Sequence, residues 1–397
     1  MSPSPASFEP APNRAVRGRD DACPGALRLH RADDGALARV RVPGGLLAAD
    51  QAHALADAAT ELGDGQLETT SRGNVQLRGL AQGCGAELAE RLSAAGLLPS
   101  LSHDRVRNIV ASPLAGLDGG PGLQGWLDEL DTLLQRSERA RALSGRFLFA
   151  LDDGRGDTAG LDADLTLIAR PDGGALLRPG RAAVAARVED GPRAALRAAE
   201  AFLAVADGAW RVREADPDGS RLFAALGLTP GPLPELPGTR PAVGRHPGAL
   251  VVGLRFGRAG AEQWHRLADA AHDGLRVTPW RSVVLPGVAA VAIPGLRTDP
   301  ASPWEGATAC TGAPGCAKSL ADVRADAAAG LDATTGSGGL PVHWSGCERR
   351  CGHPSGQWVD VLATGPDTYR ISQQSGSTTE VTNHQMAAAV ADARRTT

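Results

Sequence analysis

The sequence predicts an α+β fold built from two copies of a β-α-β-β unit, each followed by a larger α+β region. The first observation behind this prediction is an internal repeat, described below. The second is the chain length of 397 residues, which exceeds a single ordinary core and favours two or more domains. The third is a set of strand-like and helix-like segments that lies between the two copies.

Each copy of the repeat begins with the tetrapeptide PGAL, at Pro24 and again at Pro247, and continues into a strand-like segment. An alanine-rich helix follows, and its segments His53–Ala59 and His265–Ala271 read HALADAA and HRLADAA. An Asp-Gly turn then leads each copy into another strand and a Thr-x-x-Arg step. Because order, content and offset all agree, the pattern indicates a duplicated unit whose copies pack against each other.

The region between the copies has its own pattern. Apolar runs at Phe147–Leu151, Leu165–Ala169 and Ala175–Leu177 predict strands, and Pro192–Val205 predicts a helix. The Gly- and Pro-rich segment Pro230–Pro247 is typical of a linker. A region of similar place and pattern follows the second copy, so the plan of half-unit and larger domain occurs twice.

Two cysteine pairs lie in the last quarter of the chain. Cys310 and Cys316 have C-x5-C spacing, and Cys347 and Cys351 have C-x3-C spacing. Four thiolates on two Gly-rich loops suit a cubane iron–sulfur cluster. Structural zinc sites favour shorter gaps, and disulfides are rare in cytosolic chains, so both stand as alternatives. The spacing therefore predicts a [4Fe–4S] cluster on all four cysteines.

Composition and charge argue against a secreted protein, a membrane protein and a nucleic-acid-binding protein. Residues 1–22 lack the apolar stretch of a signal peptide, and the chain has no run long enough to predict a membrane span. We therefore expect a cytoplasmic protein without a membrane. The net charge of −4 gives no reason to expect a nucleic-acid partner. Lys318 is the single lysine among 41 basic residues, so being an arginine is not by itself a sign of function.

With the repeat and the cysteines described, the chain resembles the siroheme-type nitrite/sulfite reductase superfamily. Within it, the chain is most similar to the precorrin-3B synthase family. Three segments show this likeness, Cys23–Gly45, Gly145–Asp157 and Val342–Pro354, and the last contains the second cysteine pair. The resemblance implies a pseudo-twofold architecture with ferredoxin-like half-units and two larger α/β domains.

The resemblance also names the domains. It divides the chain into a disordered arm at 1–22, a first ferredoxin-like half-domain at 23–98, a first larger domain lacking the cluster at 99–235, a second half-domain at 236–300 and the [4Fe–4S] domain at 301–397.

The family resemblance further implies a reaction and its partners. The synthases hydroxylate the meso carbon of precorrin-3A with dioxygen and close a γ-lactone, which makes precorrin-3B for aerobic cobalamin synthesis. The expected cofactor is the [4Fe–4S] cluster, and a mononuclear iron stays open. No dinucleotide fingerprint is present, so electrons are expected from an external ferredoxin or NADH-linked reductase.

Two alternatives remain. A siroheme-dependent sulfite or nitrite reductase presents two lysines to its bound anion, and the matching positions here are Arg146 and Leu148. A site lacking one cation would stabilise such an anion poorly, which weakens the reductase hypothesis. The other alternative is a non-catalytic tetrapyrrole carrier whose cluster is only a structural element.

The resemblance and the strand pattern together select substrate-binding residues. Arg72 and Gln76 match the superfamily's tetrapyrrole motif, and Arg107 and Asn108 match the Arg-Asn segment after the first half-unit. Arg146 is a further candidate. Arginine suits this role because its planar fork binds a carboxylate bidentately and stays charged.

Histidines flank the second cysteine pair. His343 and His353 are candidates for a hydrogen bond to a cluster sulfur or for ligating a separate iron, with a purely structural role as the alternative. Cys23 and Cys84 match neither cysteine motif, and we expect them to be inert small apolar residues.

Overall fold

A computed structural model describes residues 21, 23–333, 339–354, 356–373 and 378–395, so the predicted N-terminal arm lies almost wholly outside the described residues. The helices are α1 (Ala49–Leu62), α2 (Gly85–Ala94), α3 (Gln124–Arg136), α4 (Gly191–Val205), α5 (Val212–Ala215), α6 (Ser220–Leu226), α7 (Ala261–Ala270), α8 (Val323–Asp332) and α9 (Asn383–Arg395). Short 3₁₀ helices occur at Pro43–Gly45 and Ala140–Ala142. Within these ranges, no helix is both long and apolar enough to cross a membrane.

The strands form four sheets. They are β1 (His30–Ala32), β2 (Gly35–Val40), β3 (Leu46–Leu47), β4 (Gln66–Thr69), β5 (Val75–Leu80), β6 (Ile109–Ala111), β7 (Phe149–Asp152), β8 (Leu165–Ala169), β9 (Ala175–Pro179), β10 (Val184–Val188), β11 (Pro230–Pro232), β12 (Gly244–His246), β13 (Ala249–Gly253), β14 (Arg258–Gly260), β15 (Leu275–Val277), β16 (Ser282–Pro286), β17 (Ala307–Ala309), β18 (Val342–Ser345), β19 (Val359–Ala363), β20 (Thr368–Gln373) and β21 (Thr378–Thr382).

Each copy of the repeat forms a five-stranded antiparallel sheet that is completed by the other copy. The first sheet has the order β1-β2-β5-β4-β14 and the second has the order β12-β13-β16-β15-β3. Strand β14 comes from the second copy and pairs with β4, placing Ala259 opposite Leu67. Strand β3 comes from the first copy and pairs with β15, placing Leu47 opposite Leu275. The sequence repeat did not reveal this exchange, because both exchanged strands are only two or three residues long.

Helices α1 and α7 cover these sheets and pack against each other. Leu55 of α1 and Trp264 and Leu267 of α7 are fully buried in one hydrophobic core that both copies share. Burial of side chains of this size contributes roughly 1.5–3 kcal/mol each. The two half-units therefore stabilise each other across the pseudo-twofold axis.

The two larger regions share a strand plan. The sheet of the first region has the order β11-β10-β9-β8-β7-β6, and that of the second has the order β17-β18-β19-β20-β21. In each, three strands run parallel (β6-β7-β8 and β17-β18-β19), and the remaining strands are antiparallel. The predicted α+β, pseudo-twofold fold is thus confirmed, while the predicted domain boundaries stay predictions.

Individual elements match the sequence pattern to different degrees. Strand β8 has the predicted bounds, and α4 begins one residue earlier than predicted. The predicted linker Pro230–Pro247 differs, because it contains β11 and β12. Strand β11 is an edge strand of its sheet, where proline's missing N–H is tolerated.

Candidate metal centre and arginine cleft

The fold brings one cysteine of each pair to one edge of the second parallel sheet. Cys310 directly follows β17, and Cys347 comes two residues after β18. These strands are parallel neighbours, so their carboxyl ends lie side by side. The loops are joined by a hydrogen bond from the Leu320 amide to the Gly346 carbonyl at 2.9 Å.

The chemistry of this edge fits a soft metal cluster. All four thiols are unpaired, and the Gly346 amide donates to Cys310 Sγ at 3.2 Å. Burial raises the pKa of the Cys310 thiol, and nearby Cys351 raises it further. A bound metal would offset the cost of ionising this buried thiol, because a coordinating thiol is deprotonated. A Cβ at Gly346 would lie 1.8 Å from Ser319 Oγ, so the loops are held in close contact.

His343 lies behind the cysteine loops with no exposed surface. Its Nδ1 is 2.7 Å from Thr308 Oγ1, while its buried Nε2 has no hydrogen-bond partner among the described residues. Burial, with the charge of Arg281 and the proximity of His353, lowers the pKa of His343 to about 3. The ring is therefore neutral at physiological pH, and a neutral imidazole has one nitrogen that can accept a hydrogen bond or bind a metal.

His353 is exposed and stacks on Trp358, with ring centroids 5.3 Å apart. Trp358 also contacts His343, edge-on at 5.7 Å. Trp358 thus contacts both candidate histidines. The structure places both beside the second cysteine pair, as the sequence predicted, while their roles stay predictions.

A cavity of about 510 Å³ opens beside the first half-unit. Its lining includes five arginines, which are Arg39, Arg72, Arg146, Arg211 and Arg213. We refer to this cavity as the arginine cleft. Cys23 also lines it, with Sγ 3.4 Å from Arg41 Nη2 and 3.3 Å from the Gly145 carbonyl oxygen. Glu214 also lines the cleft, and Arg211 and Arg213 pair with Asp164 and Asp162. The remaining positive charge, chiefly that of Arg39 and Arg72, favours an anionic ligand.

Arg72 is half-buried in the cleft. Its Nη1 donates to the Arg146 carbonyl at 3.0 Å, and within the described chain it forms no ion pair. Burial and the adjacent Arg211 lower the pKa of Arg72 to about 10. The guanidinium stays charged at neutral pH and lacks a carboxylate, which a bound ligand would supply.

Arg146 and Leu148, which the sequence resemblance matched to the two reductase lysines, lie in different surroundings. The guanidinium of Arg146 lies 4.7 Å from the centroid of the Trp210 ring and lines the cleft. Leu148 is 3% exposed and packs in a small core with Val110 and Ala150. One of the two positions therefore faces away from the cleft.

Other predicted substrate residues lie elsewhere. Arg107 is buried and donates to both oxygens of Asp131, at 2.7 and 2.8 Å. Asn108 accepts from Asn74 Nδ2 at 2.8 Å and donates to the Phe147 carbonyl at 3.0 Å. Both residues are absent from the lining of the arginine cleft. Asn108 thus contacts the first half-unit through Asn74, whereas the ion pair of Arg107 with Asp131 lies within the first larger region.

Gln76 lies one layer behind the cleft. It accepts from Arg39 Nη2 at 3.1 Å and donates to Glu68 at 3.0 Å.

Three of the cleft arginines, Arg39, Arg211 and Arg213, were not predicted from the sequence. Alternation in the segments RVR and WRVR was the available signal, but arginine is so common in this chain that it had little weight.

A buried carboxylate group occupies the equivalent edge of the first parallel sheet. Asp152, Asp153 and Asp157 each place a carboxylate oxygen within 4.8 Å of the others. Asp157 accepts from Ser112 Oγ at 2.5 Å and from the Thr158 amide at 2.7 Å. Burial, followed by the charges of the neighbouring aspartates, raises the pKa of Asp157 to about 7.

Comparisons with known proteins agree with this fold. Residues 29–95 match the nitrite/sulfite reductase ferredoxin-like half domain. This segment contains most of the first five-stranded sheet and helices α1 and α2.

Two relatives cover most of the chain. A ferredoxin–nitrite reductase of Synechococcus elongatus is 28% identical over 405 residues, covering 85% of this chain and 77% of the reductase. A precorrin-3B synthase of Sinorhizobium is 27% identical over 386 residues, covering 89% of this chain and 82% of the synthase.

The fold also has a solved counterpart. The structure of the NirA protein of Mycobacterium tuberculosis superposes with a TM-score of 0.68 at 19% identity, covering 89% of this chain and 79% of that one. Together these likenesses confirm the predicted resemblance to the nitrite/sulfite reductase superfamily, which includes a precorrin-3B synthase relative.

Proposed function

We propose that this chain is an oxidoreductase that holds a [4Fe–4S] cluster on its four paired cysteines and a polycarboxylated tetrapyrrole in the arginine cleft. The observation on which this rests is the presence of five arginines around one cavity, given above. Acetate and propionate groups at the rim of a tetrapyrrole would supply the carboxylates that Arg72 lacks. Bidentate pairs of this kind combine charge with fixed geometry.

The proposed reaction is the dioxygen-dependent hydroxylation of precorrin-3A to precorrin-3B. Similarity to a precorrin-3B synthase over 89% of the chain supports this choice. The burial of Leu148 also supports it, because only Arg146 remains of the cation pair that a nitrite or sulfite site uses. When bound, the cluster would supply electrons one at a time.

The residues of the chain have positioning roles in this proposal. Arg72 and Arg39 would hold carboxylates of the macrocycle. Arg211 and Arg213 also line the cleft, but they already pair with Asp164 and Asp162, so they would contribute mainly positive charge. Fixing several carboxylates orients the ring, so that one meso carbon faces the oxidant. Trp210, beneath Arg146, limits the freedom of that guanidinium.

The test supplies the cluster-loaded protein with precorrin-3A, a chemical reductant and ¹⁸O₂. We expect a product that contains ¹⁸O in its new hydroxyl group, and no product under nitrogen. Formation of the same product without dioxygen would overturn the proposed reaction. Binding of precorrin-3A without turnover under any condition would favour the carrier alternative.

A second candidate is a siroheme-dependent nitrite or sulfite reductase. It is supported by the 28% identity to a ferredoxin–nitrite reductase. The same sample should then contain permanently bound siroheme and reduce nitrite or sulfite with a ferredoxin donor. Absence of the isobacteriochlorin absorption bands from fully cluster-loaded protein would exclude this candidate.

A further inference from the structure

Three side chains stand in one row across the first half-unit sheet. The strand register places Arg39 of β2 opposite Gln76 of β5, and Gln76 opposite Glu68 of β4. Directly opposed residues in a sheet lie on the same face, close enough to interact. Their hydrogen bonds run from Arg39 Nη2 to Gln76 Oε1 at 3.1 Å and from Gln76 Nε2 to Glu68 Oε2 at 3.0 Å.

The row continues into the four-cysteine site. The other oxygen of Glu68, Oε1, accepts from Arg324 Nη1 at 2.7 Å. Arg324 lies on α8, and its Nε donates to the carbonyl oxygen of Cys310 at 3.0 Å. Four side chains therefore connect a predicted cluster ligand to the wall of the arginine cleft: Arg324, Glu68, Gln76 and Arg39.

Glu68 is the acceptor on which this path depends. It is 9% exposed, and its carboxylate is also 3.1 Å from Arg258 Nε, on the strand that the second copy contributes. The charges of Arg324 and Arg258 outweigh burial and lower the pKa of Glu68. Neutralising a buried, paired carboxylate leaves its partners uncompensated, which is strongly unfavourable.

We propose that Glu68 is a positioning residue that couples the arginine cleft to the four-cysteine site. One of its oxygens fixes Arg39 through Gln76, and the other fixes Cys310 through Arg324. The inference rests on the proposed tetrapyrrole site, and it adds that the ligand in the cleft and the metal on the cysteines stabilise each other. Such coupling is reciprocal by thermodynamic necessity.

The first test is a pair of double-mutant cycles on the affinity for uroporphyrin, a stable polycarboxylated tetrapyrrole. We expect Arg39→Ala to weaken binding about tenfold, at the lower end of the range for hydrogen bonds to charged groups. Glu68→Gln should weaken it less, about fivefold, because Glu68 acts on the ligand only through Arg39. The double variant should bind no more weakly than Arg39→Ala, because Glu68 acts through Arg39. Arg72 lies outside the row. In the double variant of Glu68→Gln and Arg72→Ala, the two fold-losses of affinity should therefore multiply.

The outcomes separate this inference from the proposed function. If Arg39→Ala and Arg72→Ala both leave affinity unchanged, the tetrapyrrole site itself is wrong. If they weaken binding but the effect of Glu68→Gln multiplies with both, Glu68 is merely structural and the coupling is overturned. Should Glu68→Gln fail to fold, Gln76→Met interrupts the same path and leaves the Glu68–Arg324 ion pair in place.

The second test uses the cysteine side. The rate of iron release from the cluster-loaded protein to a chelator is measured with and without saturating uroporphyrin. We expect the ligand to slow release several-fold in the unmodified protein and not in Glu68→Gln. The control is Arg72→Ala, saturated at a higher ligand concentration, which should retain the slowing. Equal slowing in Glu68→Gln would refute the coupling.

Discussion

His53 and His265 meet on the pseudo-twofold axis, with their Nδ1 atoms 2.7 Å apart. Each ring reaches across to an aspartate of the other copy, His53 Nε2 to Asp269 and His265 Nε2 to Asp57, both at 3.2 Å. The repeated heptapeptide, present once in each copy, thus supplies both halves of a symmetric contact between α1 and α7. One imidazole must donate to the other, so the pair accommodates a single shared proton at this contact.

We predict that Asp57→Asn and Asp269→Asn have equal effects on the free energy of unfolding. The two His–Asp contacts are symmetric and partly exposed, so each substitution should cost less than about 1 kcal/mol. Denaturant titration of both variants measures this. A measurable loss of stability in one variant and none in the other would contradict the symmetry of the contact.

We predict that each substitution by serine in the two cysteine pairs removes or converts the cluster. Iron and acid-labile sulfide content of the purified variants is the measurement, and the substituted positions are Cys310, Cys316, Cys347 and Cys351. Cys84→Ser is the matched control and should leave both contents unchanged. Full cluster content in Cys316→Ser would rule out four-cysteine ligation.

Gly346→Ala should reduce cluster incorporation although no cysteine is changed. The added methyl group would collide with Ser319 and displace the amide that donates to Cys310 Sγ. Gly125→Ala is the control, because a Cβ at that helical position meets nothing within 4 Å. Equal iron content in the two variants would show that the loop tolerates the displacement.

Arg72→Ala should weaken tetrapyrrole binding roughly ten- to a hundredfold, since a hydrogen bond to a charged group contributes about 1.5–3 kcal/mol. Arg72→Lys should recover part of the loss, because an ammonium cannot form the bidentate fork. Arg197→Ala, on the exposed side of α4, is the control. Unchanged affinity in Arg72→Ala would return this side chain to a purely structural role.

Asp157 should make stability depend on pH. Its pKa in the folded chain is about 7, against an ordinary value of 3.8, so the folded state favours the protonated carboxyl. This contribution is fully present below about pH 4 and is lost as the pH rises to about 7. At 1.36 kcal/mol per pKa unit, the loss is at most about 4 kcal/mol.

The measurement compares unfolding of the unmodified protein with that of Asp157→Asn at pH 5 and at pH 7.5. The variant cannot ionise at this position, so its relative stability should increase with pH. Asp128→Asn, at an exposed site, should show no such trend. A constant difference between Asp157→Asn and the unmodified protein would contradict the shifted pKa.

The features that sequence predicted best are those with strong local patterns. Strand β8 is an apolar run with the predicted bounds, and the repeated heptapeptides identified α1 and α7. Spacing alone placed Cys310 and Cys347 on two loops, which the parallel strands β17 and β18 bring together. These signals depend on neighbouring residues in the chain and are readable without the fold.

What the sequence could not reveal depends on contacts between distant segments. Arg107 is a residue type that suits a carboxylate ligand, but it pairs with Asp131 of α3 instead. Glu68 and Arg324 are 256 residues apart, so no local pattern relates them. Likewise, Gln76 was expected to bind the substrate together with Arg72, but Gln76 contacts Arg39 and does not line the cleft. Partner choice at these positions is decided by tertiary packing.

The exchange of β3 and β14 makes the two halves of the chain inseparable. A fragment ending before Arg258 would leave the backbone donors and acceptors of β4 exposed along an open sheet edge. Such edges pair readily with other chains and promote aggregation. Each half of the duplicated chain therefore covers the sheet edge through which the other half could associate with a second molecule.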